Sequence, residues 1–166
     1  MISEYNKENI EIYENFLSFD ELREISDYVK KIENWTIQKS TSEHVNEFLM
    51  HDVSDNKYFN TKIFNKIQKL LNKSYKIERI YFNGQWPNRN GDLHQDGCEK
   101  TALIYISEYY PNWGGFTQFV FSSKEEFIIS PIQNRLVIFP GMLIHKGYSF
   151  CDQNCPMRIS LAYKLN

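Results

Sequence analysis

The side chains best suited to chemistry are His94 and Asp96 in His94-Gln95-Asp96, a second histidine at 145 and an arginine at 158. Two imidazoles and one carboxylate can cap one face of an iron(II) ion and leave the opposite positions open for a co-substrate and dioxygen. Arg158 offers a planar fork suited to the far carboxylate of a dicarboxylic acid. On a strand, residues two apart point to the same face, so His94 and Asp96 can act together. His145 must then arrive from another strand. Gly91 and Gly97 flank the first pair and let backbone approach a bound group, and His145 follows Phe139-Pro140-Gly141.

From residue 76 onward the chain reads as short β-type runs at 77–83, 92–96, 101–107, 115–122, 126–130, 135–139, 144–150 and 157–164. Pro-Asn at 87–88 and 111–112, Gly114-Gly115, Pro131 and Pro140-Gly141 punctuate them. Upstream, Ile10, Ile12 and Phe16-Leu17 suggest a short strand leading into a helix. Ser18 and Glu21 form a capping-box pattern, after which Leu22, Ile25, Val29 and Ile32 recur at helical spacing. A second helix is expected from Asn60-Thr61, with Ile63, Phe64, Ile67, Leu70 and Leu71 on one side. The pattern predicts a mainly β fold with N-terminal helices: a double-stranded β-helix, or jelly roll, buttressed by α-helices. One domain spans 1–166, with 1–75 as the helical buttress and 76–166 as the jelly-roll core.

A chain of 166 residues that is 42 % hydrophobic and 16 % aromatic can bury a substantial core without disulfides. A net charge of −2 argues against a nucleic-acid or membrane-surface partner. Cys98, Cys151 and Cys155 form no paired framework, the start has no signal-peptide pattern, and no apolar run reaches membrane-spanning length. Free thiols in a reducing cytoplasm are the expectation. His44 and His51 fall in a polar stretch before the barrel and are read as solvent-facing, or as lining a substrate entrance.

Read in order, several segments carry a family resemblance: Arg79-Ile-Tyr-Phe-Asn-Gly-Gln85, Gly91-Asp-Leu-His-Gln-Asp-Gly97, Thr101-Ala-Leu-Ile-Tyr-Ile106, Trp113-Gly-Gly-Phe-Thr-Gln-Phe119, Asn134-Arg-Leu-Val-Ile-Phe-Pro-Gly141, His145 and Met157-Arg-Ile-Ser-Leu-Ala-Tyr163. Over residues 77 to 166 the chain resembles the prolyl 4-hydroxylase-like branch of the 2-oxoglutarate/Fe(II)-dependent oxygenase superfamily. The resemblance implies His94, Asp96 and His145 as iron ligands, and Arg158 as the partner of the C5 carboxylate of 2-oxoglutarate. Tyr105, with Tyr81 and Asn83, would help to fix that co-substrate. It further implies Fe(II), 2-oxoglutarate and O₂ as reactants, ascorbate as an auxiliary reductant, and hydroxylation of a C–H bond with release of succinate and CO₂.

The expected substrate is a peptide, with peptidyl-proline leading by family analogy, or a small molecule such as a free amino acid. Loops 84–92 and 107–116 are expected to border the barrel mouth, placing Trp86, Arg89, Trp113 and Phe116 against substrate. At position 116 many relatives carry an acidic residue instead. A nucleic-acid dealkylating dioxygenase ranks lower, because those enzymes carry a second arginine where Lys164 stands. A non-redox cupin-type metal protein would need no arginine on the last strand, so Arg158 discriminates against it.

Overall fold

A computed structural model describes residues 5–39 and 47–166. Among the described residues, ten strands form two antiparallel sheets. The larger has seven, ordered β1-β8-β5-β10-β4-β3-β2, and the smaller has three, ordered β7-β6-β9. In chain order these are β1 (Glu11–Tyr13), β2 (Thr36–Lys39), β3 (Glu47–Asp52), β4 (Ile77–Gln85), β5 (Lys100–Tyr105), β6 (Thr117–Val120), β7 (Glu126–Ile129), β8 (Leu136–Pro140), β9 (Ile144–Gly147) and β10 (Arg158–Leu165). The arrangement is the expected double-stranded β-helix, with helices on one face.

Alternation along the central strands explains how one sheet serves two faces. On β10, Leu161, Tyr163 and Leu165 are fully buried against the helical layer, where they meet Ile80 and Phe82 of β4. The intervening residues Arg158, Ser160, Ala162 and Lys164, with Arg79, Tyr81, Asn83 and Gln85, turn the other way and line a cavity between the sheets. Register pairs them directly: Arg158 with Gln85, Ser160 with Asn83, Ala162 with Tyr81 and Lys164 with Arg79. Behind the cavity, Tyr105, Phe119, Val137 and Phe139 pack as a second core between the sheets.

The helix α1 spans Phe19–Lys30 and starts at the expected box. Glu21 N donates to Ser18 Oγ at 3.3 Å, and Ser18 N donates to Glu21 Oε2 at 2.9 Å. The second helical segment begins slightly earlier than expected, as a wide π-type turn over Tyr58–Ile63 that runs into α2 (Phe64–Gln68). Its residues Phe59, Ile63 and Ile67 seal the sheet.

Two sequence expectations are corrected. The run 92–96 is not a ladder strand; it makes a single bridge, in which His94 and His145 exchange backbone hydrogen bonds at 3.0 Å each way. The segment before residue 76 carries, besides the expected short strand now seen as β1, two unanticipated strands, β2 and β3, which extend the larger sheet. β2 and β3 escape sequence reading because Thr-Ile-Gln-Lys and Glu-Phe-Leu-Met-His-Asp are short and polar, with a weak alternation.

Candidate metal centre and co-substrate pocket

The single bridge between His94 and His145 is what assembles the candidate metal centre. Backbone pairing places the two imidazole centroids 4.4 Å apart, and Asp96 follows on the same face as His94. The candidate ligand atoms of His94, Asp96 and His145 all lie within 4.8 Å of one another. His94 Nε2 is 3.7 Å from Asp96 Oδ1, and His145 Nε2 is 3.5 Å from Asp96 Oδ2. His145 and the Asp96 carboxylate are buried, whereas half of the His94 side chain is exposed, so the centre opens on the His94 side.

Both rings are oriented from behind. His94 Nδ1 donates to Asp92 O and His145 Nδ1 donates to Leu143 O, each at 2.8 Å. A carbonyl oxygen can only accept, so each Nδ1 carries a proton, which turns each Nε2 toward the centre; in the neutral ring that nitrogen keeps its lone pair. Burial pulls the His145 imidazole down to about 4; Asp96 opposes this and His94 reinforces it. The His145 imidazole is therefore neutral at pH 7, the form a metal ligand requires. Burial pushes the Asp96 carboxyl up, but His145, Lys164, the Thr101 hydroxyl and His94 outweigh it and hold it below its ordinary value. Thr101 Oγ1 donates to Asp96 Oδ2 at 2.6 Å. Two imidazole Nε2 atoms and one carboxylate, each side chain fixed by a further hydrogen bond, fit a divalent iron with open positions.

Arg158 lies at the closed end of the same cavity, whose volume is about 380 Å³. Its Nε donates to Gly115 O at 2.8 Å, Nη1 to Gln85 Oε1 at 3.0 Å and Nη2 to Thr117 Oγ1 at 3.0 Å. A guanidinium has more N–H groups than these three acceptors use, which leaves donor capacity toward the cavity. Gly147 keeps that approach open, since a Cβ there would sit 3.0 Å from Gln85 Oε1 and 3.4 Å from Arg158 Nη1. Neutral and acceptor-bearing surroundings around a buried guanidinium favour an anionic ligand.

Tyr105 is fully buried beside this group. Its OH donates to Thr117 Oγ1 at 2.7 Å, and the Arg158 guanidinium carbon lies 5.3 Å from its ring centroid. Burial pushes the Tyr105 phenol up, against Arg158, so it remains a protonated donor. Tyr105 thus stands behind Thr117 and is not part of the cavity wall, whereas Tyr81 and Asn83 are part of it. The buried Asn83 Oδ1 has no hydrogen-bond partner among the described residues. Thr117 and Gln85, which hold Arg158, were not singled out from sequence. Their signal was alternation: Thr117 is two residues from buried Phe119, and Gln85 is four from Tyr81 on the same strand face.

The expected rim is placed differently. Trp86 and Arg89 are exposed in the turn after β4. Trp113 packs on Tyr110 at 4.8 Å and on Phe150 at 5.2 Å, while Phe116 packs on Tyr148 at 6.1 Å, measured between ring centroids. None of these four lines the cavity. Gln38, Glu47, Phe48 and Met50 do, because β3 and β2 widen the sheet beyond β4. His51 lies against α1, with its Nε2 3.1 Å from Tyr28 OH, and is partly buried. His44 lies outside the described residues. Cys98, Cys151 and Cys155 are free thiols. Among the described residues, no helix is long and apolar enough to cross a membrane.

No protein-family model and no curated protein matches the chain. Solved structures do. An oxidoreductase of the 2OG-Fe(II) oxygenase family from Burkholderia pseudomallei superposes with a TM-score of 0.79 at 10 % identity, covering 96 % of this chain and 86 % of that one. A prolyl-4-hydroxylase from Pseudomonas putida gives 0.70 at 15 % identity, covering 95 % and 93 %. A Trichoplax adhaerens prolyl hydroxylase, solved with a peptide from hypoxia inducible factor, gives 0.74 at 14 % identity, covering 96 % and 84 %. At such identities the likeness is one of architecture. The chain has the double-stranded β-helix fold of the 2-oxoglutarate/Fe(II) oxygenases.

Proposed function

We propose that the protein is an Fe(II)- and 2-oxoglutarate-dependent dioxygenase that hydroxylates a C–H bond. The observation that carries this reading is the joining of two sites in one cavity: the His94–Asp96–His145 cluster near the opening and the buried Arg158 fork at its closed end. A cupin-type metal protein has no need of the second. When bound, Fe(II) supplies the dioxygen chemistry that converts 2-oxoglutarate to succinate and CO₂ and places a hydroxyl on the substrate.

The chain's own residues supply position. His94, Asp96 and His145 hold the metal. Arg158, kept in place by Gln85, Thr117 and the Gly115 carbonyl, receives the distal carboxylate, and Tyr105 supports Thr117 from behind. Tyr81 and Asn83 flank the channel between the two ends. Burial, followed by the nearby Asp96 charge, pushes the Tyr81 phenol up, so it faces the cavity as a protonated donor.

Peptidyl-proline is the leading substrate, supported by the likeness to two prolyl hydroxylases, one of them solved with a peptide. Hydroxylation of a small molecule is the second reading. It is favoured by the seating of Trp86, Arg89, Trp113 and Phe116 away from the cavity, and by the β2–β3 wall that closes one side. Free thiols are consistent with a reducing cytoplasm. The test is succinate formation from 2-oxoglutarate with Fe(II), O₂ and ascorbate, with and without proline-containing peptides. Stimulation by such peptides, with a 16-dalton mass gain on proline, is expected for the first reading. Succinate formation stimulated only by small metabolites supports the second, and none under any condition contradicts both.

A further inference from the structure

Lys164 sits on the same face of β10 as Arg158, six residues away, and both line the cavity. Its ammonium is 3.3 Å from Asp96 Oδ1 and donates to the Asp96 backbone carbonyl at 3.0 Å. The Lys164 side chain is only 21 % exposed and the Asp96 side chain 5 %, so water screens the contact little. Thr101 holds the other carboxylate oxygen. The candidate metal carboxylate is thus gripped on both oxygens before any ion is considered, and one of the two grips carries a full positive charge.

That charge has opposite consequences for the two reactants. Around the triad, Asp96 contributes one negative charge and Lys164 one positive, and Arg158 adds another positive charge at the far end of the cavity. A divalent cation entering beside Lys164 is repelled by it, whereas a dianionic keto acid entering next is attracted. An ammonium also has three N–H donors, more than the two Asp96 oxygens require, and Lys164 reaches the cavity wall.

Resting on the oxygenase reading above, we infer that Lys164 acts through its charge on the two reactants with opposite signs. Its ammonium beside Asp96 shifts the site's affinity away from the metal cation and toward the anionic co-substrate. The cavity would then offer an anionic co-substrate two cations on one strand, Arg158 and Lys164. A lysine that only props up the strand end would support both ligands alike; this one favours one at the expense of the other.

The test is calorimetric titration of Co(II) into wild type, Lys164→Met and Lys164→Arg, followed by 2-oxoglutarate into each Co(II)-loaded protein under conditions without turnover. Lys164→Met is expected to bind Co(II) about threefold more tightly or better, and 2-oxoglutarate about tenfold more weakly or worse. Lys164→Arg, which keeps the charge, is expected to stay within about threefold of wild type in both. If Lys164→Met does not fold by circular dichroism, Lys164→Gln takes its place with the same expectations. Weaker Co(II) binding in the neutral variant, or unchanged 2-oxoglutarate affinity, overturns the role assigned to Lys164 and leaves the oxygenase reading standing. Wild type that binds Co(II) but not 2-oxoglutarate overturns the oxygenase reading, and the Lys164 role with it.

Discussion

Arg158 and Gln85 face each other across the β10–β4 ladder, and the guanidinium Nη1 donates to Gln85 Oε1 at 3.0 Å. The pairing is imposed by backbone register, so a strand pair sets the direction of the guanidinium fork proposed to receive the co-substrate. With Thr117 and the Gly115 carbonyl taking two further donors, the guanidinium plane has little freedom left. An anion entering the cavity therefore meets a preformed site.

Truncating Arg158 to Ala is expected to lower 2-oxoglutarate affinity about 100-fold or more, since a charged, buried hydrogen-bonding partner is lost. Co(II) affinity should change far less, because Arg158 lies at the other end of the cavity. Calorimetry on the metal-loaded protein reads both. A parallel loss of metal binding would mean that Arg158 supports the fold and not the co-substrate.

Thr101→Val removes the hydroxyl that donates to Asp96 Oδ2 at 2.6 Å while nearly preserving volume. Metal affinity is expected to fall about tenfold or more, in line with the loss of an outer hydrogen bond that orients a ligand. Thermal stability should drop only modestly. Unchanged metal affinity in this variant would show that the carboxylate does not depend on Thr101 for its orientation.

Acidification should destabilise the metal-free protein. Burial lowers the His145 imidazole from 6.5 to about 4. Between those values the unfolded chain binds more protons than the folded one, so the contribution is fully present above about pH 6.5 and is lost as pH falls toward 4. The depressed Asp96 carboxyl acts in the same direction at lower pH. Urea midpoints of chelator-treated protein are expected to fall from pH 7 to pH 5, with the fall reduced in His145→Gln. A midpoint that does not move would contradict a buried, neutral His145.

Much of this was readable from residue order alone, for identifiable reasons. The β-type runs at 77–83 and 157–164 marked β4 and β10, and the alternation of a strand explains why Arg158 and Lys164 share a face. The capping box at Ser18 and Glu21 marked the start of α1 because its chemistry is entirely local. Long-range placement was harder to read. β2 and β3 are short, polar-rich strands, and missing them shifted the expected cavity rim to loops whose aromatics in fact anchor Trp113 and Phe116 elsewhere. The 92–96 run looked like a strand by composition, yet one bridge suffices to deliver His94 to His145. Alternation puts Thr117, Gln85 and Lys164 on the cavity face, but does not reveal that Gln85 and Thr117 accept from Arg158 or that Lys164 contacts Asp96.

The most direct test is anaerobic loading with Fe(II) followed by titration with 2-oxoglutarate, monitored for a weak visible charge-transfer band. A saturable band is expected in wild type, absent in His94→Ala and weakened in Arg158→Ala at equal 2-oxoglutarate. Fe(II) binding without any band would contradict the co-substrate assignment and favour a cupin-type metal protein. No Fe(II) binding at all would contradict the metal centre itself.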